Sequence, residues 1–340
     1  MDLSITKAVL HILDTNVDAP VVSEYLLESE DALAYLSGIA ARAFNGEETK
    51  LCTLPAEAPL AAKLSEVEED FLPATVRLAE QWFQILTENP SIPAGDAAFA
   101  LLSIDGKDYF AAFKLNYKIG VAHYFELRGS AAANDIVRQA TMLPGASGKA
   151  DEAFFIELSL KAPYHVRLLE KKYDMDGHKQ PYLGRRLLEV RPGLSPKEKL
   201  ETIRSVAVEV NQQFYGATGV DEPEVAAAVC AEYKAAKVAA SRPDAPWEPA
   251  PIEELCDTLY GDLPHAREAF TKALAERDIA LDEPLPMPAA AVRRLEKQSL
   301  RSAGGVEVKV PVEVYRDESA LEFIKNPDGT TSLLIKNILV

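Results

Sequence analysis

Hydrophobic positions change period several times along the chain, and each change marks an element. Leu3 to Leu13 is rich in Ile, Val and Leu, the mark of a buried strand. Asp31 to Phe44 carries Leu33, Leu36, Ile39 and Ala40 at helical spacing, and Pro59 to Leu86 does the same with Val76, Ala79, Phe83 and Leu86. Both are expected as amphipathic helices. From Ala97 to Arg128 the period falls to two, and three strands follow, AAFALLSID, DYFAAFKLNYK and VAHYFELR. An antiparallel meander is expected, with Asp105-Gly106 at its first reversal and Gly120 at its second, where positive backbone angles suit glycine and tolerate aspartate.

A loop, LPGASGKADEA, leads to another apolar stretch, Ala153 to Leu160, and then to a segment rich in Tyr, Lys and Arg. Ser195-Pro196-Lys197-Glu198 predicts a helix start: a capping serine, a proline suited to the first turn, and a glutamate three places on that completes a capping box. Leu200, Ile203, Ala207, Val210 and Phe214 continue that helix on one face to Gly216. A second helix is expected from Asp221-Glu222-Pro223, running into the proline-stiffened connection SRPDAPWEPAP. Shorter helices are expected around Pro264 to Ala275 and Pro288 to Leu300. The strands VEVKVPVEVY, LEFIK and TSLLIKNI follow, the last two joined by the turn Asn326-Pro327-Asp328-Gly329. The fold class is α+β. Residues 1–192 make an N-terminal domain of antiparallel sheet with helices, and residues 193–340 a helical region ending in a C-terminal β-meander.

Charge narrows what such a fold can do. The chain has 340 residues, 36 Lys and Arg against 53 Asp and Glu, and a net charge of -17. A protein that coats DNA replaces counterions with its own cations, so contact with nucleic acid must be local or must pass through a partner protein. Three widely spaced cysteines, Cys52, Cys230 and Cys256, do not make a disulfide framework and fit a reducing cytoplasm. The N-terminus does not read as a signal peptide, and no apolar run is long enough for a membrane span.

Motifs of chemistry fail on spacing. Gly145 to Lys149 has two residues between its glycines where a P-loop has four, and Ala150 follows the lysine in place of Ser or Thr. Asp174-Met-Asp176-Gly177-His178 begins like a calcium loop but lacks the glycine and glutamate that close one. His11, His123, His165, His178 and His265 are scattered without zinc spacing. No catalytic residue, metal site or cofactor is expected.

Three basic features remain. Alternation in the strand from Asp108 to Lys118 sends Lys114, Asn116 and Lys118 to one face, expected as its polar outer side. The segment from Lys161 to Arg191 holds eight cations, among them Arg167, Lys171, Lys172, Arg185 and Arg186, against four acids, a balance of +4 inside a chain of -17. Tyr164, Tyr173 and Tyr182 are interleaved with them, as in surfaces that stack bases while holding phosphates. Arg293, Lys297 and Arg301 fall at i, i+4 and i+8, a cationic stripe if the helix runs to Leu300.

The opening ITKAVLHILD, the strand FAAFKLNYK, and the closing GGVEVKVPVEVY followed by FIKNPDGTTSLLIKNI resemble, in that order and spacing, the bacterial 37-kilodalton nucleoid-associated protein family. The resemblance implies a cytoplasmic protein resident at the nucleoid, acting through DNA or through nucleoid proteins, with neither catalysis nor cofactor. The expected function is thus a non-enzymatic binding protein that reaches DNA through a local basic surface or a DNA-processing partner. Two alternatives stay open. One is a self-associating scaffold built on the helix from Pro196 to Tyr215. The other is a metal-dependent phosphodiester enzyme using Glu126 or Glu157 beside Lys114, Lys118 or Lys161.

Overall fold

The computed structural model describes residues 1–145, 147–159, 163–215, 221–240, 250–302, 304–312, 314, 317, 319–326 and 331–337. Lys161, the Pro-rich connection over 241–249, Gly216 at the expected helix end and the turn residues 327–329 lie outside them. The chain forms two compact units, Met1–Ser195 and Pro196–Val340.

The first unit is built on one antiparallel sheet. Its strands are β1 (Leu3–Leu13), β2 (Lys50–Leu54), β3 (Gly95–Ile104), β4 (Lys107–Asn116), β7 (Glu152–Glu157) and β8 (Tyr164–Leu169), in the spatial order β1-β3-β4-β7-β8-β2. Asp105 and Gly106, both at positive φ, make the two-residue turn between β3 and β4. Helix α1 (Glu30–Phe44) covers one face, where Leu36, Ile39 and Phe44 pack on Ala98, Ala100, Phe113 and Phe155. Helices α2 (Pro59–Glu69) and α3 (Phe71–Glu88), parted at Asp70, cover the other with Leu64, Leu78, Trp82 and Leu86 against Phe99, Phe110, Phe154 and Leu168. Phe99 and Phe110 stack across β3 and β4 with ring centroids 6.2 Å apart. Each fully buried ring contributes roughly 1.5–3 kcal/mol.

Helices on both faces overturn the expected outer side of β4. Every residue from Tyr109 to Asn116 is buried, so Lys114 and Asn116 point under α3. The meander is corrected too. Gly120 turns nothing: it lies inside β5 (Lys118–Arg128), which leaves the sheet and, among the described residues, pairs only with β6 (Ala131–Met142). The reversal comes at Gly129, at positive φ. Strands β9 (Tyr173–Met175) and β10 (His178–Gln180) make a short hairpin, followed by one π-helical turn over Leu183–Leu187.

The second unit packs α4 (Pro196–Tyr215), α5 (Asp221–Ala240), α6 (Ile252–Tyr260), α7 (Pro264–Ala275) and α8 (Ala289–Leu295) around Ile203, Val206, Val229, Leu255, Phe270 and Leu274. Its strands pair as two hairpins, β11 (Lys297–Arg301) with β12 (Glu307–Pro311), and β13 (Leu321–Lys325) with β14 (Thr331–Ile335). The helix expected to reach Leu300 stops at Leu295, because the next residues pair with residues 307–311. No helix among the described residues is long and apolar enough to cross a membrane.

Candidate nucleic-acid interface

The π-helical turn and the extended chain after it present three arginines. Arg185, Arg186 and Arg191 are exposed, and with Glu189, Val190 and Pro192 they line a cavity of about 600 Å³. Arg186 and Glu189 also border an adjoining cavity of about 310 Å³, where Lys63 of α2 and Gln81, Gln84 and Glu88 of α3 form the opposite wall. One groove therefore runs from α2 and α3 along the turn. Among the described residues none of the three arginines makes an ion pair, so their guanidinium forks are available to an incoming anion.

The turn is fixed from below. The Gly184 amide donates to Glu170 Oε2 at 3.0 Å, and Glu170, buried, also meets Lys50 Nζ at 3.4 Å. A Cβ on Gly184 would stand 2.7 Å from Leu168 Cδ2 and 3.0 Å from Pro192 Cγ, so any larger residue would have to displace these side chains for the turn to lie this close to β8. Val190 N donates to Gly184 O at 2.8 Å, closing the loop, and Glu189 takes a positive φ of 56° to allow it. Neighbouring leucines, Leu183 and Leu187, anchor the turn in the core under α3.

The other sequence candidates are placed differently. Lys114 has no exposed surface: its Nζ donates to Pro93 O at 2.6 Å and to Asn116 Oδ1, and lies 3.4 Å from Glu152 Oε2. Asn116 Nδ2 in turn donates to Asp151 Oδ2 at 2.5 Å. Glu152 accepts from the Tyr182 hydroxyl at 2.9 Å, and Tyr182 accepts from Trp82 Nε1 at 2.9 Å. Burial holds the Lys114 ammonium below and the Glu152 carboxyl above their ordinary ranges, each opposed by the other's charge. This network ties β4 and β7 to α3 and the turn; it is not a surface.

Arg167 lies over the Phe44 ring at 4.2 Å, and Lys171 is paired with Asp151. Lys172 is exposed and engaged with other groups of the protein. Lys118 is exposed at the root of β5. Tyr182 is buried, and Tyr164 and Tyr173 pack against the core, so none of the three is a bare stacking platform. In the second unit, Arg293 is exposed on α8 while Lys297 and Arg301 belong to β11, which dissolves the helical stripe. The structure thus gathers Arg185 and Arg186 and adds Arg191 and Lys63. Lys63 carried no sequence signal beyond being a cation in an otherwise acidic helix.

The described residues among those named for a phosphodiester enzyme are not brought together; Lys161 lies outside them. Glu126 pairs with Arg128 on β5, and Glu157 pairs with Lys107 at 3.0 Å on the α1 face of the sheet, opposite Lys114. Among the described residues no group of three His, Cys, Asp or Glu could hold a metal ion. His11 is a structural histidine. Its Nδ1 accepts from Ser23 N at 3.0 Å and its Nε2 lies 3.1 Å from Thr75 Oγ1, and burial brings its pKa down to about 4.

Residues 9–339 match the family model described as nucleoid-associated protein YejK. No curated protein sequence matches the chain.

Proposed function

The chain belongs to the nucleoid-associated protein family, and on that footing we propose that it is a non-enzymatic binding protein that grips the phosphate backbone of DNA in the groove of Arg185, Arg186 and Arg191. The observation that carries this reading is the pinned turn and the chain after it, which present three exposed arginines without ion-pair partners among the described residues in a chain of net charge -17. Exposed guanidinium groups keep most of their hydration until a phosphate arrives, whereas buried Lys114 already has its partners. The groove reads no sequence, since arginine forks on phosphates position a duplex and base contacts specify it.

Binding measured by fluorescence anisotropy on duplex and single-stranded oligonucleotides across a salt series tests this. About three phosphate contacts give a log–log slope near -3, and Arg185→Ala with Arg186→Ala should reduce its magnitude by about two. Absence of binding by the native chain at low salt would overturn direct contact. A second reading then takes over, in which the exposed acids Glu66, Glu69 and Asp70 at the end of α2 engage a basic DNA-processing protein.

A further inference from the structure

Among the described residues the β5–β6 hairpin is the longest pair of strands in the first unit that stands apart from the six-stranded sheet. It leaves β4 after a single residue, Tyr117, and returns at Leu143, which packs in the α1 layer. Its root is secured there by Tyr35, whose hydroxyl donates to Pro144 O at 2.9 Å, and by Arg42, whose Nε donates to Gly148 O at 2.8 Å. Beyond the root, two strands of 11 and 12 residues extend as a two-stranded arm. At about 3.3 Å per residue the arm is roughly 35 Å long. Two strands alone are marginally stable in water, so an arm of this length needs a surface against one of its faces.

The register shows which face. Val121 stands opposite Arg138, His123 opposite Ile136, Phe125 opposite Asn134 and Leu127 opposite Ala132, and alternation adds Ile119 to the same side. Ile119, Val121, Phe125, Leu127 and Ile136 are each between 61% and 75% exposed. The reverse face carries Lys118, Tyr124, Glu126, Arg128 and Asp135. The arm is therefore amphipathic, with its apolar side bare. Five such side chains leave on the order of 500–600 Å² of contiguous apolar surface, at the upper end of what a monomer exposes without a partner.

We infer that this face is a self-association surface, on which two copies of the chain pack their arms together about a two-fold axis. Charge selects the occupant. Residues 118–142 carry three cations and two acids, a nearly neutral stretch in a chain of -17, so the arm is where two such chains can approach with least repulsion. DNA fits poorly, because Arg138 is the one formally charged side chain on the apolar side. Area agrees: two apolar faces together remove on the order of 1,000–1,200 Å², the lower bound of a specific protein interface. An isologous contact about a two-fold axis closes at two.

Sedimentation equilibrium of the full chain tests this. The native protein should fit a dimer of twice 37.1 kDa. Phe125→Glu combined with Ile136→Glu should raise the dissociation constant by at least about 100-fold, since buried aromatic and aliphatic anchors dominate such contacts. Tyr124→Glu, on the reverse face, should leave the dimer intact. If the double variant does not fold, a chain in which a short turn replaces residues 120–140 serves in its place and should be monomeric. A native chain that stays monomeric at every concentration, or a dimer that survives loss of the apolar face, overturns the inference.

Discussion

Lys114 and Arg185 are both cations in basic stretches of an acidic chain, yet one has no exposed surface and the other lines an open groove. The difference lies in what covers them. Lys114 sits on a central strand whose two faces are both roofed by helices, so its charge must be met by Glu152, Asn116 and a backbone carbonyl inside the protein. Arg185 sits on a turn whose leucines are buried and whose arginines consequently face outward. Local charge density locates cations; layer architecture decides which of them can meet a phosphate.

The sharpest way to break the comparison is Lys114→Met. It leaves the buried Glu152 carboxyl without its counterion, and removing one partner of a buried pair costs about 3–5 kcal/mol. Denaturant unfolding should show that loss, with much of it restored when Glu152→Gln is added, while the folded fraction keeps the native salt slope for DNA. A native stability unchanged by Lys114→Met would show the network to be idle.

Next in size is the pH response of His11. Its folded pKa, about 4, lies below the ordinary 6.5, so the unfolded chain binds the proton more tightly. Its contribution is fully present above pH 6.5 and is lost as pH falls toward 4, up to about 3 kcal/mol. Nδ1 already accepts the Ser23 amide, so a proton there would break that bond. NMR titration of the ring should find it neutral at pH 5, and a midpoint near 6.5 would refute the assignment.

Gly184→Ala should cost less, about 1–3 kcal/mol for forcing a methyl group against Leu168 and Pro192. It should also weaken DNA binding, because the turn carrying Arg185 and Arg186 must shift. Smallest of all, Arg185→Ala with Arg186→Ala should change stability by less than about 0.5 kcal/mol, since both side chains are exposed and make no ion pair among the described residues. That pair of results, binding lost with stability kept, is what separates the groove from the network beneath it.

Much of the fold is legible in the sequence. Strand β1, helices α1, α4 and α7, and the Asp105-Gly106 hairpin all follow from local period and turn chemistry. What could not be read locally is anything set by distant partners. Strand β11 replaces the end of a helix because residues 307–311 pair with it. The apolar residues of both parities in AAFALLSI and YFAAF were a sign of two-sided burial, which Lys114 and Asn116 obscured. Strand β6, AAANDIVRQATM, has too few apolar residues to announce itself and exists because β5 lies beside it. At the groove, the cation count pointed to the segment that carries Arg185, Arg186 and Arg191. It could not show that Lys171 is held by Asp151 or that Arg167 lies on Phe44, each contact spanning many residues.

The strand order has a consequence for how the protein is made. β1 and β2 are neighbours in sequence but occupy opposite edges of the sheet, and each waits for a partner synthesised much later: β1 for β3, β2 for β8. With translation at about 5–20 residues per second, Leu169 is added roughly 6–23 s after Leu54. Until then β2 has no ladder, and the nascent chain carries an unpaired apolar strand. Closure by long-range pairing makes this a slow-folding domain, whose most exposed moment falls on the ribosome.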